Sequence, residues 1–283
     1  MKISKIWSTA CQEYRKWIIN EKQIVTAICL VFLHVMIVEP YLRRAEEMGT
    51  YPNFVEPFLA VANSKMFLLV LPLVFLVLIS DCPRMDGDFL FFLARAGKRN
   101  WIMGQVCFLL MAACSYLGVI LFYTFIFGGA YGFAGNAWSL AVLNFKDFFG
   151  TSVPEYISSD LYWQMSPYGA CVKGCILLVG YFLLVGMLLL VFAVYDKKKT
   201  GMMVIAGILA VGTGAAALDA PAAWCFPTAH AILGKHFQGM LREVRMEFGI
   251  SVAYEASAII LLFLFAYIGM KRRAFYAVDG TEE

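Results

Sequence analysis

Reactive side chains are few in this sequence, and their spacing fits no common active site. A lysine follows a glycine at 97–98 and at 234–235, but neither pair has the glycine five positions earlier that a phosphate-binding loop requires. His230 and His236 are six residues apart, whereas a zinc-protease helix places two histidines one turn apart with a glutamate between them. We therefore expect no catalytic residue, no metal and no cofactor in this chain.

Two further pairs bring reactive groups close together along the chain. Cys171 and Cys175 lie one helical turn apart at the start of an apolar stretch, where thiols pack as small apolar side chains more often than they bind metals. Glu46 and Glu47 are paired acids like those of some intramembrane proteases, but they lie in a loop, and no histidine-bearing span is arranged to complete a site. Both observations favour a chain that is not an enzyme.

Acidic side chains at predicted membrane spans are also rare. Glu39, Asp81 and Glu255 all lie near a predicted membrane boundary, where their charges can reach water or a nearby partner. A proton-coupled carrier or an ion channel requires charges at greater depth, and the sequence has no internal repeat of the kind found in secondary transporters. The pattern disfavours both classes.

The elements that must position these residues are membrane helices. Of the 283 residues, 61% are hydrophobic and only 15% are charged, against about 25% charged residues in soluble domains. The apolar residues form long runs, which predicts an all-α integral membrane protein with six transmembrane helices. The predicted spans cover about 23–41, 65–82, 101–127, 170–195, 201–218 and 250–270.

Lysine and arginine set the predicted orientation. Most of the 23 basic residues cluster in the amino-terminal segment, the 83–100 loop, the turn after the fourth span and the tail at 271–283. By the positive-inside rule these segments and both termini are cytoplasmic, which leaves 128–169 and 219–249 as extracellular loops. The net charge of +3 is too small to indicate a nucleic-acid partner.

The amino-terminal segment, residues 1–22, has its own pattern. Apolar residues recur there at helical spacing opposite a basic face, which predicts an amphipathic helix in the inner membrane surface. A helix packed on a soluble partner has the same period, but Trp7 and Trp17 favour the lipid bilayer.

The cytoplasmic loop 83–100 differs from the other connections. Asp86 or Asp88 can cap a short helix there. One face of that helix carries three apolar side chains: Phe89, Phe92 and Leu93. Exposed aromatic side chains in a cytoplasmic loop indicate either a protein partner or contact with the membrane surface, and the residues alone leave both open.

Two features of the predicted spans concern bending and packing. Pro72 removes one backbone hydrogen bond near the middle of the second span and therefore predicts a kink. Small residues share one face of the fifth span and would let another helix approach closely: Ala206, Ala210, Gly214 and Ala217.

The amphipathic first helix, the six spans and two short motifs resemble permease subunits of type-2 ABC transporters from Gram-positive bacteria. An Asp-x-Pro turn follows the second span, and an Arg-x-Gly-Lys-Arg-x-Trp-x-x-Gly-Gln run leads into the third. The matching residues are Asp81, Pro83, Arg95, Gly97, Lys98, Arg99, Trp101, Gly104 and Gln105. The Ser-Pro-Tyr sequence at 166–168 adds to the resemblance.

The resemblance implies a half-transporter in the bacterial plasma membrane. It would pair with a second permease subunit, identical or different, and dock through 83–100 onto a separate ABC ATP-binding subunit that carries ATP and magnesium. The residues expected to contact that subunit are Asp86, Asp88, Phe89, Phe92, Leu93 and Arg95. The implied function is ATP-driven export of a peptide, a lipid or an amphipathic drug. The alternative is a membrane scaffold or sensor subunit that binds an extracellular ligand or partner without transport.

Overall fold

Helices dominate the computed structural model, which describes residues 3–84, 93, 95–150, 152–238 and 243–272. The α-helices are α1 (Ile3–Ile18), α2 (Gln23–Leu33), α3 (Glu39–Glu47), α4 (Glu56–Asn63), α5 (Phe67–Leu78), α6 (Lys98–Tyr131), α7 (Leu140–Leu143), α8 (Phe145–Phe149), α9 (Ser159–Tyr162), α10 (Pro167–Val194), α11 (Lys198–Ala217), α12 (Pro227–Ala231) and α13 (Phe248–Arg272). A π-helical segment, His34–Val38, joins α2 to α3, and 3₁₀ turns cover Pro221–Cys225 and Leu233–His236. Strands β1 (Phe237–Gln238) and β2 (Glu243–Val244) pair antiparallel, with Phe237 opposite Val244.

Among the described residues, five helical stretches are long and apolar enough to cross a membrane: Gln23–Glu47, Lys98–Tyr131, Pro167–Val194, Lys198–Ala217 and Phe248–Arg272. The bent pair α4 and α5 makes a sixth if it counts as one span. Hydrocarbon offers no partner for backbone N–H and C=O groups, so a segment in lipid has to bond its own backbone, as a helix does. The prediction of an all-α membrane protein is confirmed at this level.

Successive long helices run in opposite directions and place their connections at two ends of the bundle. The end that carries α1, the last turn of α5 and the first turn of α6 is here called the α1 end. The end that carries α3, α4, α7, α8, α9 and α12 is called the loop-rich end.

The buried core lies around α10, which contacts α4, α5, α6, α11 and α13. Its centre is an aromatic cluster in which Phe75, Tyr116 and Phe182 come from three different helices and are almost completely buried. The ring centroids are 5.6 Å apart for Phe75 and Tyr116, and 5.4 Å apart for Phe75 and Phe182. Large aromatic side chains at these distances fill the space between helices and fix their relative positions.

Apolar side chains on the outside of the bundle are also numerous. Exposed Ile, Leu, Val and Phe residues follow the outer faces of α2 and α13, such as Ile28 on α2 and Phe265 on α13. Such continuous apolar surfaces are expected where helices meet lipid or another membrane subunit.

The second apolar segment breaks before α5. The axes of α4 and α5 differ by 87° across residues 64–66, so the chain turns sharply at the loop-rich end. Helix α4 is buried except at its last residue, Asn63. The predicted span at 65–82, expected to kink at Pro72, therefore corresponds to a shorter helix, α5, with a second buried helix folded across its end, and the sharp bend lies before α5.

Helix α5 continues through Pro72, and a neighbouring side chain compensates for the missing proline N–H. In an α-helix the N–H of residue 72 would bond to the carbonyl of Leu68, which Pro72 leaves without its helical donor. The Tyr181 hydroxyl on α10 donates to that carbonyl at 3.2 Å and also contacts Thr228 Oγ1 at 3.0 Å. The buried Tyr181 hydroxyl therefore replaces the hydrogen bond that Pro72 cannot make to the Leu68 carbonyl, and it links α5 to α10.

The loop-rich end is held by a buried carboxylate, Glu56, at the start of α4. Its oxygens accept hydrogen bonds from the Tyr41 hydroxyl at 2.7 Å, the Asn53 N–H at 2.6 Å and the Ser139 N–H at 2.8 Å. Three separate parts of the chain thus meet at one side chain. A buried carboxylate is tolerated here because donors surround it.

We predict that the hydroxyl of Tyr181 stabilises the protein mainly because position 72 is proline. Tyr181→Phe should lower the free energy of unfolding by about 1 to 2 kcal/mol, since it leaves a buried carbonyl without a donor. In a Pro72→Ala background, whose new N–H bonds to Leu68, the same substitution should cost clearly less. Thermal unfolding of the purified protein in detergent measures all four variants.

The control is Tyr116→Phe. The Tyr116 hydroxyl bonds to the Leu71 carbonyl at 3.2 Å. That carbonyl is three residues along from Leu68 and is not the one that Pro72 leaves without a helical donor. Tyr116→Phe should therefore lower the free energy of unfolding by the same amount in the unmodified and the Pro72→Ala backgrounds. Equal costs of Tyr181→Phe in both backgrounds would contradict the prediction.

Candidate functional site

Helix α1 packs along the first half of α6 at the α1 end. Gly104 allows the close approach, because a Cβ at that position would lie 2.7 Å from Thr9 Cβ. Further along, the Tyr14 hydroxyl and Ser115 Oγ are hydrogen-bonded at 2.5 Å, and Trp17 is buried. Any side chain larger than glycine at position 104 would push the two helices apart.

The exposed surface of α1 carries an apolar stripe beside the polar residues Ser4, Ser8 and Arg15. Ile3, Trp7 and Ile18 have between 49% and 78% of their surface exposed. A helix that packs on its own bundle through one face and exposes tryptophan and isoleucine on the other has the form expected at a membrane surface. The helix predicted at 1–22 is present as Ile3–Ile18. Trp17 packs against the bundle, whereas Trp7 is exposed on the surface.

The amino-terminal segment also holds the two described ends of the 83–100 loop region. Lys22 Nζ lies 2.6 Å from Asp81 Oδ1, and Asn20 Nδ2 donates to Asp81 Oδ2 at 3.0 Å. At the other end, Lys5 Nζ donates to the backbone carbonyl of Arg95. These five residues, Lys5, Asn20, Lys22, Asp81 and Arg95, are called the α1 clamp.

The predicted coupling residues are only partly covered by the described residues. Four of them lie outside: Asp86, Asp88, Phe89 and Phe92. Leu93 is buried and Arg95 is exposed. Gly97 then opens α6 with φ of +81°, a conformation that favours glycine over every other residue.

The small-residue face predicted on α11 does not point to the core of this chain. The buried face of α11 consists of Gly201, Ile205, Leu209, Gly212 and Ala216. Ala210 and Gly214 are exposed, Ala206 is partly exposed, and a Cβ at Gly214 would meet no atom within 4 Å. The reason is that Gly201 and Gly212, not the predicted residues, receive the bulky Phe192 and Phe226.

A cavity of about 840 Å³, here called the chamber, lies at the loop-rich end beside the bend at residues 64–66. One wall is apolar and comes from the π-helical segment and the start of α5: Met36, Ile37, Met66 and Phe67. Other lining residues carry basic and acidic side chains: Arg44, Lys65, Lys235, Arg245, Glu155, Asp160 and Asp219. The chamber therefore combines apolar and charged lining residues. Sequence reasoning missed it because its walls come from five separate segments.

Two lysines of the chamber also bind the end of α11. Lys65 Nζ donates to the Ala217 carbonyl at 3.3 Å, and Lys235 Nζ donates to the Ala216 carbonyl. Lys235 also lies 2.6 Å from Asp219 Oδ1 and holds the pKa of that carboxyl below its usual range. Cations at a helix C-terminus interact favourably with its free carbonyls, so these contacts fix one chamber wall.

Beside the chamber wall, two histidines and a serine form a buried cluster. His230 Nδ1 lies 2.9 Å from Ser251 Oγ, and His236 Nε2 lies 2.8 Å from the same oxygen. The remaining ring nitrogens face backbone carbonyls, His230 Nε2 that of Trp224 at 2.9 Å and His236 Nδ1 that of Ile232 at 3.0 Å. The sequence could not indicate this cluster, because Ser251 lies 15 and 21 residues from the histidines.

The cysteines form no disulfide, although Cys171 and Cys175 are close enough to be hydrogen-bonded. All eight cysteines, including the Cys171 and Cys175 pair, are free thiols. Within the described part of the chain, no three His, Cys, Asp or Glu side chains are grouped so that they could hold a metal ion. Glu39 pairs with Arg43 one turn along α3, at 2.8 Å.

Comparison with known proteins adds no relative. No family model, no curated protein and no solved structure matches this chain. The α1 clamp, the chamber and the helices between them are the features of the chain that bear on its function.

The histidine cluster makes stability depend on pH. Burial disfavours the charged imidazolium and lowers the pKa of both His230 and His236. The unfolded chain then binds more protons than the folded one, so stability is greatest above the ordinary histidine pKa and is lost as the pH falls. We expect the unfolding temperature to drop between about pH 7.5 and about pH 5.

The double variant His230→Asn, His236→Gln should show a clearly flatter pH dependence over the same range. His34→Gln serves as the control, because this third histidine lies in the π-helical segment, away from the cluster. A double variant whose unfolding temperature follows pH as steeply as that of the unmodified protein would show that the cluster is not the source.

Proposed function

We propose that this chain is the membrane-spanning permease subunit of an ATP-driven ABC transporter, with ATP hydrolysis carried out by a separate subunit. The observation that supports this proposal most is the α1 clamp. It ties both described ends of the loop expected to meet the ATP-binding subunit to the amino-terminal segment: Arg95 to Lys5 of α1, which packs on α6, and Asp81 to Asn20 and Lys22 between α1 and α2. A loop that only joined two helices would need no such attachment.

Two helices lead from the α1 clamp to the chamber. Lys22 immediately precedes α2, and Asp81 follows the end of α5 by three residues. At their other ends, α2 continues into the π-helical segment and α5 begins at the bend, and both of these line the chamber. A displacement of the loop at the α1 end would therefore shift two chamber walls as rigid helices.

The chamber favours an amphipathic cargo. Its apolar lining residues suit an acyl chain or apolar peptide side chains, and its charged lining residues suit a headgroup or peptide backbone. A peptide, a lipid and an amphipathic drug all meet this description. Export as the direction of transport comes from the family resemblance.

The proposal places the protein in the bacterial plasma membrane with the α1 end in the cytoplasm. Arg15, Lys16 and Lys22 all lie at that end, as the positive-inside rule requires of a cytoplasmic side. A second permease subunit, identical or different, would complete the transporter. The exposed face of α11 around Ala210 and Gly214 is suited to close contact with a helix of that subunit.

We predict that the loop holds the ATP-binding subunit. Affinity purification of the tagged chain from its native host in mild detergent should recover a soluble protein with a phosphate-binding loop. Phe89→Asp together with Phe92→Asp should release that protein, since a charge at an apolar contact carries a large desolvation cost. Phe148→Asp, which alters an exposed aromatic residue at the loop-rich end, should leave it bound.

The same purification tests the alternative. A scaffold or sensor subunit that binds an extracellular ligand would elute alone or with partners that are not ATPases. Retention of an ATPase by the Phe89 and Phe92 variant would contradict the role assigned to the loop, and absence of any ATPase from the unmodified chain would favour the scaffold.

A further inference from the structure

The buried His230, Ser251 and His236 cluster has one proton too few when its groups are neutral. Its four close contacts join four pairs of polar atoms, and each needs one hydrogen between them. The two backbone carbonyls supply none. Each neutral imidazole supplies one and the serine hydroxyl supplies one, so three hydrogens are present for four contacts.

The carbonyl partners decide where those three hydrogens lie. His230 must carry its hydrogen on Nε2 to bond to Trp224, and His236 must carry its hydrogen on Nδ1 to bond to Ile232. Both inner nitrogens then present lone pairs to Ser251 Oγ, which can donate to only one of them. The other contact, at less than 3 Å, would set a lone pair against a lone pair.

We propose that His230, Ser251 and His236 form a site that binds a single proton. With one proton added, one ring becomes an imidazolium that donates from both nitrogens, and the serine hydroxyl donates to the other ring. All four contacts are then hydrogen bonds. The inference does not depend on the proposed function.

The surroundings allow one added charge and disfavour a second. Ser251 is completely buried, and the Tyr254 ring stacks on His230 with centroids 4.1 Å apart. Among the described residues, the charged or titratable side chains nearest the cluster include Lys173 on α10, Glu255 on α13 and Cys225 in the 3₁₀ turn. Lys235 directly precedes His236, and Arg245 and Glu247 are joined through their backbones to His236 and Ser251. Lys173 opposes a positive charge on His236, and within the described residues neither histidine has an ion pair with Glu255.

The site connects the chamber to α13. Ile232, Gly234 and Lys235 line the chamber and lie between the two histidines in sequence, whereas Ser251 belongs to the first turn of α13. Proton uptake therefore changes how this chamber wall is bonded to a membrane helix. Because burial lowers the pKa of both histidines, uptake is expected below the ordinary value of about 6.5.

Nitrogen-15 NMR of the histidine-labelled full-length chain in detergent tests the proposal directly. The chain has only three histidines, and His34→Gln identifies the third signal set. Nitrogen shifts distinguish the two neutral tautomers from the imidazolium. Between about pH 8 and about pH 4.5, the pair should take up one proton, with one ring doubly protonated and the other in the tautomer given above.

Ser251→Ala is the decisive variant. Without the hydroxyl, two neutral rings satisfy both carbonyls with no proton missing, so the proton affinity of the pair should fall about tenfold or more. Ser251→Thr retains the hydroxyl and should titrate like the unmodified protein. If Ser251→Ala does not fold, the tautomers and proton count of the unmodified chain decide the matter.

Three results would overturn the proposal. They are uptake of two protons over this range, no uptake at all, or a Ser251→Ala titration that matches the unmodified chain.

Discussion

The constraint behind this structure is that hydrocarbon cannot bond backbone polar groups, so every interruption of a membrane helix needs a partner within the protein. Helical backbone hydrogen bonding is interrupted at two places in the second apolar segment. At Pro72 the freed Leu68 carbonyl is satisfied by Tyr181 of α10. At the bend before α5, Asn63 Oδ1 accepts from the Gly234 N–H at 2.8 Å and Lys65 donates to the end of α11.

These interruptions determine which elements meet. Because the bend takes its partners from the segment around Gly234 and from α11, these elements converge on it, and the chamber lies between them and the π-helical segment. A straight second span would have needed none of these contacts. The break in the helix and the cavity beside it therefore share one physical cause.

The membrane spans were predictable from the sequence because the hydropathy of a span depends only on its own consecutive residues. The predicted ranges 101–127, 170–195 and 201–218 fall largely within α6, α10 and α11. The first apolar run ends at Gly128 and Gly129, and the other two end at Asp196 and Asp219. Helix α4 was not predicted, because its apolar run is only five residues long and follows Glu56 and Pro57. Helix α4 is buried because it contacts α6 and α10, and these tertiary contacts cannot be read from the sequence of α4 itself.

Sites built from distant residues were beyond sequence reasoning for the same reason. The loop motif around Asp81 and Arg95 was visible as a short pattern, but its attachment to Lys22 and Lys5 is a tertiary contact. The small residues of α11 that were predicted to allow close helix packing do share one face of that helix. The sequence could not tell which of two adjacent small-residue faces would meet the core, since glycines occur on both.

In the proposed transporter the α1 clamp transmits force between the loop and the membrane helices, and charge reversal at its ion pair tests this most directly. The measurement is the ATPase rate of the complex purified with the proposed ATP-binding subunit. Lys22→Asp and Asp81→Lys should each lower that rate about 2- to 30-fold, while the double exchange restores much of it because the pair is re-formed with opposite polarity. Unmodified rates in both single variants, or a double variant as slow as either, with the complex intact, would contradict the account.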